Sequence, residues 1–305
     1  MKNTNNKLVN MAFKSLLLML IVGLLRLPAI AQEDDQEENT NEVKAEKPAR
    51  PAFESAWWFD GQTGKVYNKN TLEFVMQHRF GVINFGNNDM LGIYGAANIR
   101  LGLGYAPIEK LNIGFGYTKN KMILDLNAKY AILTQTRSNS MPISLSYYVN
   151  MGAELQDEEN YVNTSDRLDY FHQLLFMKRF DSKLSVQLAP SVSHYNAVQW
   201  EQQTNGVYER MESDTWAISA GIRYKFKPQL ILMLGYDQPI TQHVINQPKP
   251  SINIGIEIAT SSHAFQVFVT NNNRIQPQEN FTFNQNDFTD GGWLIGFNIT
   301  RLWSF

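Results

Sequence analysis

Five histidines, His78, His172, His194, His243 and His263, are the side chains best suited to moving a proton near neutral pH. A hydrolase built on them needs one within hydrogen-bond reach of a serine, with Asn or Asp behind it. The run Ser191-Val192-Ser193-His194 sets serine beside histidine. Neighbours along a strand point to opposite faces, so this pair cannot be nucleophile and base within one strand. His78-Arg79 closes an amphipathic stretch and reads as readily as a structural rim. No catalytic residue is assigned, and the chain reads as a non-enzyme. There is no cysteine, which removes disulfides, thiolate nucleophiles and Cys-ligated metals together. Gly86-Asn87-Asn88-Asp89 and Gln156-Asp157-Glu158-Glu159-Asn160 carry oxygen ligands without the spacing of a calcium loop. Neither a metal nor a cofactor is expected. Gly102-Leu103-Gly104-Tyr105 and Gly114-Phe115-Gly116-Tyr117 invite a phosphate-loop reading. That reading fails because such a loop must lead into a helix.

The charged residues with the most consistent placement are Glu73, Arg79, Arg100, Asp125, Lys129, Arg223, Lys225 and Glu257. Each falls on the polar face of an alternating stretch. Both signs occur, so they either cross-link one another across a narrow lumen or form a selectivity ring for a small solute. A single-sign ring would be the clearer mark of a selective pore, and mutual pairing is the favoured expectation.

The elements that must position these charges are strands. Leu72, Phe74, Met76, His78 and Phe80 alternate with Glu73, Gln77 and Arg79, the period of a strand with one greasy and one polar side. The pattern returns at 99–105, 111–117, 122–132, 143–149, 184–193, 216–226 and 252–258. Shorter or less clean stretches lie at 265–269 and 293–305. Leu168 to Phe180 and Leu230 to Tyr236 carry apolar residues on both faces, so their outer side is not fixed. Connections are short after even-numbered strands, as at Asp181-Ser182-Lys183 and Lys227-Pro228, and mostly long after odd ones, with Lys119-Asn120-Lys121 the exception. A soluble lipocalin-like barrel also alternates, but it has no reason to alternate loop lengths. Tyr105, Tyr117, Tyr236, Trp216 and Trp293 fall near strand ends, as girdle aromatics do. The expected fold is all-β, an antiparallel up-and-down transmembrane β-barrel of about 12 strands.

The Gly pairs within two neighbouring strands then have two readings. They make room for something large inside the barrel, or they serve strand curvature. Candidates for a plug are the patch Asp89-Met90-Leu91-Gly92-Ile93-Tyr94 and the aromatic cluster Phe53, Trp57, Trp58 and Phe59 within 52–70.

The ends agree with export. Lys2, Lys7 and Lys14, the apolar run 15–25, and Ala29-Ile30-Ala31 predict a signal peptide over 1–31. The run is too short for a transmembrane helix, which needs ~20 apolar residues. Loss of Lys2, Lys7, Lys14 and Arg26 takes the formal charge from −2 to −6. With no Lys/Arg-rich block, nucleic acid is not an expected partner. Residues 32–51 are acidic and proline-bearing and are expected to be a flexible leader, ahead of one barrel domain over 52–305. Phe297, Ile299, Trp303 and Phe305 share one face of the last strand, with Arg301 departing from the pattern. A terminal aromatic on an amphipathic strand is the expected signal for the barrel-assembly machinery.

Four segments carry a family likeness: Ala52-Phe53-Glu54, Thr71 to Gly81, Asp89 to Gly95 with Asn98 to Gly102, and Gly296 to Arg301. Over nearly all of the exported chain the sequence resembles a bacterial outer-membrane β-barrel family known only as a domain of unknown function. The resemblance implies an outer-membrane barrel and supplies no activity. The expected partners are outer-membrane lipid and lipopolysaccharide, the barrel-assembly machinery and a periplasmic protein. The favoured function is a small-solute channel or transport-associated barrel. The alternatives are a non-conducting scaffold barrel, which uses the acidic leader, and, third, a lipid hydrolase.

Overall fold

The computed structural model describes residues 46–83, 90–156 and 161–305. Twelve strands form one closed antiparallel barrel. They are β1 Thr71–Val82, β2 Asn98–Ile108, β3 Leu111–Thr118, β4 Ile123–Leu133, β5 Ser144–Glu154, β6 Leu168–Arg179, β7 Leu184–Tyr195, β8 Asp214–Lys227, β9 Leu230–Pro239, β10 Ser251–Ala259, β11 His263–Thr270 and β12 Leu294–Ser304. Each pairs with its neighbour in sequence, and β12 closes on β1 from Leu294↔Val82 to Ser304↔Thr71. The expected class and strand number are both found. Pro107 lacks an amide donor, and the β2–β3 register shifts where it sits, between Tyr105 and Ile108.

Register aligns the two faces from strand to strand. Leu103, Phe115 and Leu126 form one outward row. Gly102, Gly116, Asp125, Gly152 and Asp169 form an inward row. Leu101, Phe115, Leu126, Ile254 and Val267 stay 45–59% exposed, whereas Arg79, Asp125 and Arg223 are at most 1% exposed. Apolar outside and charged inside is the arrangement a lipid solvent selects. On β12, Phe297, Ile299 and Trp303 lie on the outward face, and Phe305 is exposed. Arg301, the exception there, is held by Ser262 Oγ at 3.1 Å and His263 Nε2 at 2.6 Å.

Connections at one end, the turn end, are short apart from 134–143 between β4 and β5, which is moderate. Those at the other, the loop end, are mostly long; a one-turn 3-10 helix, Asn120–Met122, makes the short exception. Loop 196–213 contains a hairpin, Trp200–Gln202 against Tyr208–Arg210.

Of the stretch expected to be a flexible leader, 46–51 is described, and it lies along the β4–β5 turn. Pro48 bridges Thr136, the Ala49 amide donates to the Gln135 carbonyl at 2.8 Å, and the Arg137 amide donates to the Lys47 carbonyl at 3.1 Å. Main-chain pairing needs no apolar side chain, so composition alone could not reveal it. The expected signal 1–31, leader residues 32–45, and the loop residues 86–89 and 157–160 lie outside the described residues.

The apolar core sits inside the barrel. A lower insert, residues 52–67, enters from the turn end and bends at a short hairpin, Trp57–Trp58 against Gly61–Gln62. Phe53, Trp58 and Phe59 pack against Met177, Ile231, Met233 and Phe268 of the wall. A loop insert, residues 271–293, descends from the loop end and carries helix α1, Pro277–Phe283, whose seven residues are all buried. Phe281 packs against Tyr148, Phe171, Leu175, Ala189 and Ala217. The two strands with unassigned faces are thereby explained. Phe171, Leu175 and Met177 of β6 and Ile231 and Met233 of β9 are apolar inward residues because an insert lies against each. The other plug candidate stays out: Met90, Leu91, Ile93 and Tyr94 are 45–73% exposed.

Candidate functional site

The site is the filled lumen. Strand alternation aims the inward charges at the lower insert, and most of them end on it. The Arg79 guanidinium, fully buried, donates from Nε to Asp60 Oδ1 at 2.7 Å and from Nη1 to Asn298 Oδ1 at 3.1 Å. It lies 4.5 Å over the Phe268 ring. Lys129 Nζ donates to Gln62 Oε1 at 2.8 Å and to the Thr63 carbonyl at 2.9 Å. Glu73 accepts the Tyr67 hydroxyl at 2.7 Å. Arg223 and Lys225 share the Glu54 carboxylate at 2.8 and 2.7 Å.

Uncharged amides complete the seat. Asn298 donates to the Phe59 carbonyl at 2.7 Å, Gln266 to Trp57 at 2.9 Å and Gln187 to Gln62 at 2.9 Å. Each saturates a backbone group that would otherwise be buried without a partner. Glu257 binds the same Gln266 at 2.7 Å and so holds the insert at second hand.

Arg100 and Asp125 are the pair that does cross-link within the wall, through two bonds of 2.8 Å. Of the inward charges named from the sequence, these two pair with each other. Glu73, Arg79, Lys129, Arg223 and Lys225 pair with the inserted segment instead, because it brings its own acid and carbonyl partners to them. The Gly pairs find their meaning here. The Arg100 guanidinium occupies the space a side chain at Gly116 would need, and the Trp57 ring stacks over it at 5.0 Å. Across the barrel a Cβ at Gly221 would stand 2.9 Å from Trp58 Nε1, and one at Gly235 2.9 Å from the Phe59 ring.

The loop insert is seated differently. Gln276 donates to Asp125 at 3.2 Å, and Gln278 donates to Asn150 at 2.8 Å and Asp169 at 3.0 Å. Arg274 pairs with Glu279 at 2.9 Å. Four consecutive or near-consecutive polar atoms of the insert, Gln278 Oε1, Glu279 Oε2, Asn280 Oδ1 and Thr282 Oγ1, find no partner within the protein. Buried groups of this kind require water. The two inserts touch where Asn272 Nδ2 donates to Asp60 Oδ2 at 3.0 Å. The cavity around Asp60 and Asn272 and the one around Trp57 and Arg100 measure about 20 Å³ each, room for about one water, and a larger one of about 160 Å³ opens at the turn end between Gly64, Tyr67, Ser146 and Met177.

The wall charges stand out in the sequence, whereas Glu54, Asp60, Asn272, Gln276, Gln278 and the amides Gln187, Gln266 and Asn298 do not. The available signals were the inward apolar residues of β6 and β9 and the amide-rich run Asn271-Asn272-Asn273 to Asn286. The histidines are scattered. His194, outward as its strand position required, has Nδ1 on Asp214 at 2.7 Å and Nε2 near Asn196 at 3.2 Å. His78 stacks on Phe297, His172 contacts the Tyr147 hydroxyl, and His263 contacts Arg301. His243 sits in the 240–250 loop, and burial holds its imidazole below the usual range. Among the described residues no three His, Asp or Glu side chains converge to hold a metal.

No curated protein matches the chain. Solved structures with a similar barrel include the NanC porin, at 9% identity and TM-score 0.47, over 77% of this chain and 98% of that one. The COG4313 outer membrane channel from Pseudomonas putida F1 is similar at 11% identity and TM-score 0.49, over 78% and 97%. The KdgM porin in complex with disordered oligogalacturonate is similar at 10% identity and TM-score 0.44, over 77% and 99%. The family profile described as a membrane bound beta barrel domain, DUF5777, matches residues 53–303, and the chain belongs to that family.

Proposed function

We propose that this protein is an exported bacterial outer-membrane barrel that is closed to solutes at rest, with its turn end toward the periplasm. The observation that carries the reading is the position of Asp60, which is bound by Arg79 of the wall and by Asn272 of the loop insert. One carboxylate joins the wall and both inserts, and the cavity it lines with Trp58, Phe59 and Asn272 measures about 20 Å³, room for about one water. On this reading the lumen charges are anchors for an inserted segment and not a selectivity ring. The acidic stretch 33–38, upstream of the lower insert, is the part offered to a periplasmic partner. Phe297, Ile299, Trp303 and Phe305 form the strand offered to the assembly machinery.

A second reading, a transport-associated barrel that opens on demand, is favoured by one observation: the buried atoms of α1 that lack protein partners. An insert that needs water for its own polar groups leaves more readily than a dry one. Planar bilayer recording tests the first reading. The intact protein is expected to insert without discrete conductance steps. Steps in the unmodified protein would overturn it and return the channel as the resting function.

A further inference from the structure

Arg50, Arg179, Lys183, Lys225 and Lys227 line one groove of about 460 Å³ at the turn-end rim, with Glu54 as the acid among its lining residues. It lies between the β6–β7 turn, 180–183, and the β8–β9 turn, 228–229. Glu54 is already committed to Arg223 and Lys225. Asp181, nearby in the first turn, spends its carboxylate on the amides of Lys183 and Leu184 at 2.6 and 2.7 Å. Arg179 Nε donates to the Asp181 carbonyl at 2.9 Å. Among the described residues no carboxylate pairs with Arg50, Lys183 or Lys227. Like charges gathered without a counter-ion repel one another, and a bound anion relieves that repulsion.

The groove does not stop at the rim. Phe226, 53% exposed on the lipid face, and Pro228 form its outer edge. Lys227 and Pro228 also line a second groove of about 500 Å³ on the outer wall, continued by Leu230 and Ile258. A cationic pocket at headgroup level thus runs into an apolar channel at acyl level, and the two share Lys227 and Pro228. A free phosphate fills the first alone. A molecule with a phosphate at one end and a hydrocarbon chain at the other fills both.

We propose that this double groove binds a glycerophospholipid with an anionic headgroup from the leaflet at the turn end. The phosphate sits among Arg50, Arg179, Lys183 and Lys227, and one acyl chain follows Phe226, Leu230 and Ile258. The Lys and Arg stems cover apolar surface while their heads reach the phosphate.

Full-length protein folded in micelles containing equal phosphatidylglycerol and phosphatidylcholine, then washed, is examined by native mass spectrometry. Phosphatidylglycerol is expected to stay bound in preference to phosphatidylcholine. Combined Arg179→Gln, Lys183→Gln and Lys227→Gln should lower its retention by about tenfold. Lys119→Gln with Lys121→Gln at the loop end should leave it unchanged. Heat-modifiable gel migration shows whether each variant is folded. If the triple variant is not, Lys183→Gln and Lys227→Gln singly, both at exposed residues, should each lower retention severalfold. Equal retention of the two lipids, or unchanged retention in the variants, overturns the proposal. Ready displacement by millimolar inorganic phosphate would make free phosphate the ligand, and a gain of lipid on deleting residues 32–45 would make the acidic leader the occupant. Either result also overturns it.

Discussion

The lower insert and the loop insert fill the same lumen with different chemistry. The lower insert is pinned by charge. Asp60 and Glu54 meet three wall cations, and the carbonyls of Trp57, Phe59, Gln62 and Thr63 each receive a wall side chain. The loop insert is held by aromatic packing of Phe281 and Phe283 and by amide-to-carboxylate bonds, with four polar atoms around α1 that have no partner in the protein. The lower insert also leaves Trp57 Nε1 and Trp58 Nε1 without a partner, but its carboxylates are ion-paired, and such a pair is costly to break because removing one partner strands the other in low dielectric. An insert held to the wall by uncharged amides gives way in smaller steps. The difference teaches that the lower insert is the firm seal and the loop insert the looser one.

The largest expected effect is on the firm seal. Arg79→Gln leaves Asp60 charged and buried without its ion pair, at a cost of about 3–5 kcal/mol. The unfolding temperature read from heat-modifiable gel migration should drop, and the lower insert should become open to protease. Adding Asp60→Asn to Arg79→Gln should restore most of the loss. If Arg79→Gln alone is neutral, the ionic account of the lower insert is wrong.

Next comes Phe281→Ala in the loop insert, expected to cost about 3 kcal/mol, the lower part of the range for a buried ring. Hydrogen exchange should quicken in 271–293 and stay unchanged in 52–67. Equal quickening in both would mean that the inserts release as one unit.

A pair of small changes tests the sign of the difference. Tyr67→Phe removes a bond that Glu73 uses, and should destabilise by about 1–3 kcal/mol. Thr282→Val removes a hydroxyl with no partner in the protein, and should be neutral or stabilise by about 1 kcal/mol. Chemical denaturation of the two variants compares them directly. If Thr282→Val destabilises as much as Tyr67→Phe, the loop insert is as well satisfied as the lower one.

The smallest effect is one of pH. His243 Nδ1 accepts the Glu212 amide at 3.1 Å, which places the proton on Nε2, toward the Thr215 hydroxyl at 3.1 Å. Burial lowers its pKa, so the neutral ring is the form the folded loop prefers. The stabilisation is complete above the unfolded value of about 6.5 and is lost as pH falls below it. Met211, which precedes the Glu212 that His243 holds, and Ile245, two residues after His243, pack with Phe283. Acidification from pH 8 to 5 should therefore speed exchange in loop 240–250 and in 271–293, and His243→Gln should remove most of that pH dependence.

How much of this was legible in sequence depends on what each residue has to satisfy. The twelve strands were readable because lipid demands an uninterrupted outward apolar row, as in Leu101, Leu103 and Tyr105. The inward charges were readable for the same reason in reverse. Their partners were not, since Asp60 meets Arg79 and Asn272 only after the chain folds back through the barrel. Phe171, Leu175, Ile231 and Met233 did carry the sign of an insert, as apolar residues on a face that should have been polar. The patch at Met90 to Tyr94 is exposed and the second insert is 271–293, a segment that no apolar pattern marks because amide-rich chain does not look apolar. Yet a lumen already lined with Asp125, Asn150 and Asp169 favours amides over greasy side chains.

The central claim is that the two inserts meet at Asp60 and Asn272 inside the barrel. It is tested most directly with Asp60→Cys and Asn272→Cys in one chain, which has no cysteine of its own. Outer membranes carrying this variant are treated with a short bifunctional thiosulfonate, alongside each single variant as control. Efficient bridging, seen as a gel shift in the double variant alone, is the predicted result, with neither thiol open to a bulky water-soluble maleimide beforehand. Two free thiols that both react with that maleimide and do not bridge would contradict it.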